Sequence, residues 1–155
     1  MTEKYESLQL LLVEDSPGDV RLTQEVFRGT NSAIELHVAT DGLEAMAFLR
    51  HEGEHAASPR PHLILLDLNL PKLDGLGVLR RIRADQRTRL IPVVILSSSD
   101  EEQDRLQAYS LGANSYVRKP VDFEEFLIAA AQLGRYWLLL NESPSSRNPY
   151  DRPSL

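Results

Sequence analysis

The sequence predicts an α/β domain built on a parallel sheet, and three observations carry that expectation. Short apolar runs recur at residues 8–13, 33–38, 62–66, 92–96 and 115–117, and a stretch of helical periodicity follows each. The runs Leu10-Leu11-Leu12-Val13, Leu63-Ile64-Leu65-Leu66 and Val93-Val94-Ile95-Leu96 are apolar throughout instead of alternating, as strands covered on both faces require. At 155 residues the chain is long enough for one continuous core and too short for two ordinary domains. Strict strand–helix alternation then implies crossover connections between parallel strands.

The elements follow in order. The first strand ends at Glu14-Asp15, and Ser16-Pro17 opens the first helix, a capping hydroxyl beside a proline suited to the first turn. The second strand leads to Asp41-x-x-Glu44, which has the spacing of a capping box. Residues 51–61, with Gly53, Pro59 and Pro61, read as a long loop before the third strand, which runs directly into Asp67. The fourth strand ends at Ser97-Ser98, with Asp100-x-x-Gln103 as the next expected cap, and the fifth is followed by Lys119-Pro120 and Asp122-x-x-Glu125.

The last helix, from about 123 to 140, places Phe126, Ala130, Leu133 and Trp137 on one stripe facing the sheet. Its end, Tyr136-Trp137-Leu138-Leu139-Leu140, is apolar on more than one face and is expected to contact something beyond its own core. A domain at 8–140 is thus expected, with a polar lead at 1–7 and a polar tail at 141–155 rich in Ser, Pro, Asn and Arg.

Composition removes whole classes of function. Cysteine is absent, which excludes disulfides, thiolate nucleophiles and sulfur-ligated metals, so any metal must bind oxygen or imidazole. Seventeen basic against 23 acidic side chains give a net charge of −6, which opposes a dedicated nucleic-acid binder. The arginines at 80, 81, 83, 87 and 89 read as a solvated surface, since no DNA-binding module accompanies them. No apolar run of about 18 residues and no amino-terminal hydrophobic stretch occurs, so a cytoplasmic chain without membrane attachment is expected. His51 and His55 share i,i+4 spacing in a glycine-containing loop with no third ligand in view.

Ligand sites of open α/β sheets lie outside the carboxyl ends of the strands, so the polar residues ending each run belong together. Glu14 and Asp15 follow the first strand, Asp67 the third, Ser97 and Ser98 the fourth, and Lys119 the fifth. Taken alone, each has an ordinary role: a strand-end Asp is commonly a cap or turn former, a serine a turn residue and a lysine a solvated charge. Taken together, three acids converge on one edge and require a cation, unless one of them stays protonated. Mg2+ fits, because it takes oxygen ligands from one or two carboxylates and from substrate phosphate. Lys119 and Ser97 suit the oxygens of a transferring phosphoryl group, and Asp67, ending the central run, is the natural carboxylate nucleophile.

These residues resemble the response-regulator receiver domain of two-component signalling over about residues 8–140. The motifs are Leu11-Leu12-Val13-Glu14-Asp15, Leu65-Leu66-Asp67-Leu68-Asn69-Leu70-Pro71 with Asp74-Gly75, Ile95-Leu96-Ser97-Ser98, and Gly112-Ala113-Asn114-Ser115-Tyr116-Val117 leading to Lys119-Pro120. The resemblance implies a flavodoxin-like (βα)5 sandwich with strand order 2-1-3-4-5. It implies Asp67 as phosphoacceptor, with Glu14, Asp15, Asp67 and the Asn69 carbonyl around Mg2+, Glu14 acting mainly through water. It further implies Ser97 as the hydroxyl that follows the phosphoryl group, Lys119 as the salt-bridging lysine, Tyr116 as the switching aromatic and a cis Lys119–Pro120 bond. The first acid is Glu where many relatives carry Asp, and the hydroxyl is Ser where Thr is common; both keep the required group.

Within that family, Glu14-Asp15-Ser16-Pro17-Gly18-Asp19, the 51–61 loop and the tail look like single-domain regulators that partner phytochrome-type histidine kinases. That likeness implies a signalling component without an output domain, phosphorylated by a histidine kinase, possessing only self-catalysed phosphoryl transfer and autodephosphorylation, and passing its signal by protein contact or to a phosphotransfer protein. It also implies a homodimer through the last helix, with Tyr136, Trp137 and Leu140 at the interface.

Two rivals compete. A Mg-dependent aspartyl-phosphate phosphatase on a similar fold would need a second Asp as general acid two residues after the nucleophile, where Asn69 stands. A nucleotide or flavin binder would need a glycine-rich phosphate loop after the first strand, where only Gly18 is present.

Overall fold

The computed structural model of the chain describes residues 8–30, 34–119 and 122–140. Five strands, β1 (Leu8–Val13), β2 (Ile34–Ala39), β3 (Leu63–Leu66), β4 (Val93–Ser97) and β5 (Ser115–Arg118), alternate with five helices. The helices are α1 (Pro17–Thr30), α2 (Gly42–Arg50), α3 (Gly75–Ala84), α4 (Glu102–Ser110) and α5 (Phe123–Gly134), the last continuing as a π-helical segment over Arg135–Leu140. All strand pairs are parallel, in the order β2-β1-β3-β4-β5.

Alternate residues of the three apolar runs enter two separate cores. Leu11, Val13, Ile64, Leu66, Val93 and Ile95 pack with α2, α3 and α4, through side chains such as Phe48, Val78, Ile82 and Ala108. Leu10, Leu12, Leu63, Leu65, Val94 and Leu96 pack on the other face against Val26 and Phe27 of α1 and Phe126 and Ala130 of α5. Coverage of both faces is the reason these strands show no polar alternation. The two edge strands, β2 and β5, are mostly half-buried.

Helix starts largely follow the expected chemistry. Ser16 Oγ accepts from the Asp19 N–H (3.3 Å), Asp41 Oδ1 from Glu44 (2.7 Å) and Asp122 Oδ1 from Glu124 and Glu125. Asp74 also caps a helix, its Oδ1 receiving the Gly77 N–H at 2.8 Å at the start of α3. The cap expected from Asp100 does not form. Its carboxylate faces Arg118 (3.6 Å), and Ser99 organises the start of α4 instead, accepting from Glu101 N–H and donating to Asp104 Oδ2 at 2.5 Å. The 51–61 loop is likewise more ordered than expected: it contains a 3₁₀ turn at Gly53–His55 and is tied to α2 by Ser58 Oγ donating to the Phe48 carbonyl (2.7 Å). The lead at 1–7, the tail at 141–155 and Pro120, with the bond expected to be cis, lie outside the described residues.

Arg83, near the end of α3, clamps the far end of the sheet. Its guanidinium donates to the carbonyls of Gly112 (2.9 Å), Arg89 (3.0 Å) and Ile91 (2.8 Å) and to Asn114 Oδ1 (2.8 Å). Asn114 in turn receives the Val93 N–H and donates its own N–H to the Val93 carbonyl, so one side chain sets the entries of β4 and β5. Arg83→Leu keeps the apolar stem but leaves these acceptors unmade, and is expected to cost about 2 kcal/mol in urea denaturation. A loss below about 0.5 kcal/mol, the scale of an ordinary surface substitution, contradicts the clamp.

Candidate functional site

Register brings the acids together. β1 and β3 pair with Val13 opposite Leu66, so Glu14 and Asp67 emerge side by side at the point where the strand order reverses. Both backbones are held there: Glu14 N–H donates to the Ala39 carbonyl (3.0 Å) and Asp67 N–H to the Val13 carbonyl (3.0 Å). Carboxylate oxygens of Glu14, Asp15 and Asp67 lie within 4.8 Å of one another. Glu14 and Asp67 are buried at 2% and 7% exposure, whereas Asp15 is exposed. Donors of oxygen alone, one of them open to solvent, suit a hard divalent cation that retains water.

Lys119 reaches this cluster from the end of β5. Its backbone N–H donates to the Ser97 carbonyl (2.7 Å), and its ammonium donates to Glu14 Oε1, to Asp19 Oδ2 at 2.9 Å and to Asp67 Oδ2 at 3.3 Å. Burial acts to lower its pKa, but the bonds to Asp19 and Glu14 and the charges of Glu14 and Asp67 outweigh it and hold the group above the ordinary lysine value. Glu14 moves the other way. Burial, reinforced by the neighbouring Asp67, pushes it up to about 7 against the pull of Lys119.

The β3–α3 loop closes tightly over Asp67. Asn69 N–H donates to Asp67 Oδ1 (3.1 Å), and Gly75 N–H to the Leu68 carbonyl (2.9 Å). A Cβ on Gly75 would stand 2.3 Å from the Asp67 carbonyl oxygen, and one on Gly42 would stand 1.9 Å from that of Leu73, so both approaches require glycine. Lys72, in the left-handed region at φ 68°, places its ammonium 3.4 Å from Asp41 and ties the same loop to the start of α2.

Ser97 is fully buried, ending β4 beside β3, and its hydroxyl accepts the Ser99 N–H at 3.2 Å. Tyr116 is half-buried against the α3–α4 side of the core; its hydroxyl donates to the Ser99 carbonyl (3.0 Å), while its backbone N–H meets Tyr109 Oη (3.2 Å). Ser97 and Tyr116 are thus joined through Ser99. Tyr136 and Trp137 lie apart from the site, in the π-helical continuation of α5, with rings edge-on at 5.3 Å. Trp137 packs partly against the core and Tyr136 is half-exposed; the Leu140 side chain lies outside the described residues.

Two contributors escaped sequence reasoning. Asp19 lies one turn beyond Asp15 in a stretch already notable for its acids, yet its partner is 100 residues away. Ser99 had only proximity to Ser97 to mark it.

With a doubly wound sheet, an acid cluster at its switch point and a lysine from the last strand, the molecule has the form of a phosphoryl-accepting signalling domain. The chain belongs to the response regulator receiver domain family, whose sequence profile matches residues 10–131. It is a receiver of two-component signalling and not a classical enzyme. Response regulator Rcp1 of Synechocystis sp. is 45% identical over 129 residues, 83% of this chain and 88% of that relative. The crystal structure of the phosphorylated cyanobacterial phytochrome response regulator RcpA superposes with a TM-score of 0.86 at 42% identity, covering 89% of this chain and 99% of that one. The Mn2+-bound form of Rcp1 gives 0.85 at 43% identity, with the same coverage. No helix among the described residues is long and apolar enough to cross a membrane.

The elevated Glu14 pKa has a consequence for stability in metal-free solution. The unfolded chain releases this proton near 4.5, whereas the folded protein keeps it to about 7. Across that window the folded state binds more protons, so stability falls as pH rises and levels off above about 7. Relative to Glu14→Gln, which carries no such proton, the wild type should lose about 3 kcal/mol from below pH 4.5 to above pH 7, read by urea denaturation in chelator. A difference that stays flat across the window contradicts the assignment.

Proposed function

We propose that Asp67 is the phosphoacceptor and that this receiver takes its phosphoryl group from a histidine kinase of the phytochrome type. The supporting observation is the placement of the Asp67 carboxylate, recessed at the strand end, with the Lys119 ammonium at 3.3 Å and two further acids within cation-binding distance. The resemblance to regulators of phytochrome signalling supports the choice of kinase.

In the proposed step an Asp67 carboxylate oxygen attacks phosphorus in line with the departing imidazole nitrogen. The O–P bond forms as the N–P bond breaks, and the leaving nitrogen keeps the electron pair. Lys119, already positioned, offsets the negative charge that spreads over the phosphoryl oxygens. Glu14, Asp15, Asp67 and the Asn69 carbonyl would hold the cation, Mg2+ by this reading, which supplies further neutralisation of those oxygens. Ser97 then turns its hydroxyl toward the phosphoryl group. In doing so it leaves the Ser99 N–H without its acceptor, which loosens the loop that Tyr116 and Asp104 hold.

The readout of that change is proposed to be protein contact by this receiver unit, residues 8–140, in the cytoplasm, either with a phosphotransfer protein or within a homodimer through α5. Exposed Ile128 and Tyr136 on that side, at 58% and 52%, support the dimer, with Trp137 beside them and Leu140 at its expected margin.

Incubation with Mg2+ and a small acyl phosphate, followed by intact mass measurement, should show a single added phosphoryl group in the wild type and none in Asp67→Asn. An adduct that survives in Asp67→Asn, or its absence from wild type with both the small donor and a cognate kinase, overturns the proposal.

A further inference from the structure

An ammonium has three N–H donors, and in Lys119 each is taken by a different carboxylate, those of Glu14, Asp19 and Asp67. Two of those acids belong to the cluster suited to a cation; Asp19 does not. It reaches the ammonium from another direction, the first turn of α1, and its side chain stands at the rim with 34% exposure.

The turn that carries Asp19 is fixed at both its amide and its carbonyl. Ser16 Oγ receives the Asp19 N–H at 3.3 Å, and the Asp19 carbonyl accepts from Thr23 Oγ1 at 2.9 Å. Thr23 is itself buried at 1% exposure, and one turn further Val26 and Phe27 anchor α1 in the core. The carboxylate is therefore presented from a rigid support. An acid in a first helical turn is common because it favours the helix dipole, but that role needs no cation from the other end of the chain.

Phosphorylation changes the other two partners of the ammonium. Asp67 becomes a mixed anhydride with phosphorus and gives up its carboxylate charge, and Glu14 would share its oxygens with the cation site. Asp19 is claimed by neither the reacting group nor the cation cluster, and is the partner that persists through the reaction. We infer that Asp19 is a positioning residue for Lys119, holding its ammonium over Asp67 while the phosphoryl group arrives; this rests on Asp67 being the phosphoacceptor, as proposed above. Electrostatically, Asp19 also balances the ammonium when the acids beneath it are engaged elsewhere.

Asp19→Asn keeps an acceptor of the same shape and removes its charge. With Mg2+ and a small acyl phosphate, the variant should take up phosphoryl roughly three- to tenfold more slowly than wild type, and Asp19→Glu should recover most of the loss. The same Asp19→Asn change made on Lys119→Met should have no further effect, because the group it positions is gone. Equal slowing on both backgrounds, or wild-type kinetics in Asp19→Asn, overturns the inference. A separate readout needs no phosphorylation: the Lys119 side-chain ammonium signal in heteronuclear NMR should broaden with faster hydrogen exchange in Asp19→Asn, and an unchanged signal contradicts the positioning role. Wild type that accepts no phosphoryl group at all counts against the phosphoacceptor reading and leaves the ammonium measurement to decide the role of Asp19.

Discussion

A buried ammonium ringed by carboxylates is the interaction on which the rest of the structure depends. Glu14 and Asp67 leave adjacent strands side by side, and both are nearly sealed from water. Two such charges about 4 Å apart repel by about 4 kcal/mol at an effective dielectric of 20. Lys119 turns that repulsion into attraction, and Glu14 relieves part of the remainder by holding its proton to about 7. The site proposed to accept a cation and a phosphoryl group is therefore a set of like charges kept in place by one opposing charge.

The fold serves this arrangement from some distance. Lys119 is delivered by β5, whose far end is set by the Arg83–Asn114 clamp and whose near end is fixed by the Lys119–Ser97 backbone bond. Asp67 is held by the sheet on one side and by the glycine-dependent closure of the β3–α3 loop on the other. From Ser97, hydrogen bonds run through Ser99 to Tyr116 and to Asp104 at the start of α4. The displacement of the Ser97 hydroxyl proposed above would therefore bear on a loop and a helix terminus together.

Much of this was legible in the sequence because its physical signals are local. Strands β1, β3 and β4 stand out since coverage on both faces demands unbroken apolar runs, and the polar residues ending those runs mark the site directly. The edge strand β2 runs one residue past its expected end, to Ala39, where a half-buried pattern weakens the signal. Asp100 had the right spacing for a cap, but Arg118 competes for its carboxylate and Ser99 is better placed. Asp19 and Arg83 were not legible as site and clamp, since their partners are brought near only by folding; an acid in a first turn and an arginine near a helix end look like solvated charges until the sheet closes.

The most direct measurement of the central claim is the thermal midpoint of Lys119→Met with and without a divalent cation. The charge balance described here predicts that the variant is less stable than wild type in chelator, because its acids face one another unopposed. It also predicts that Mg2+ raises the midpoint of the variant by more than it raises that of wild type, since the ion then supplies all of the missing positive charge. Equal Mg2+ increments in the two proteins would contradict the claim that Lys119 and a cation neutralise the same carboxylates.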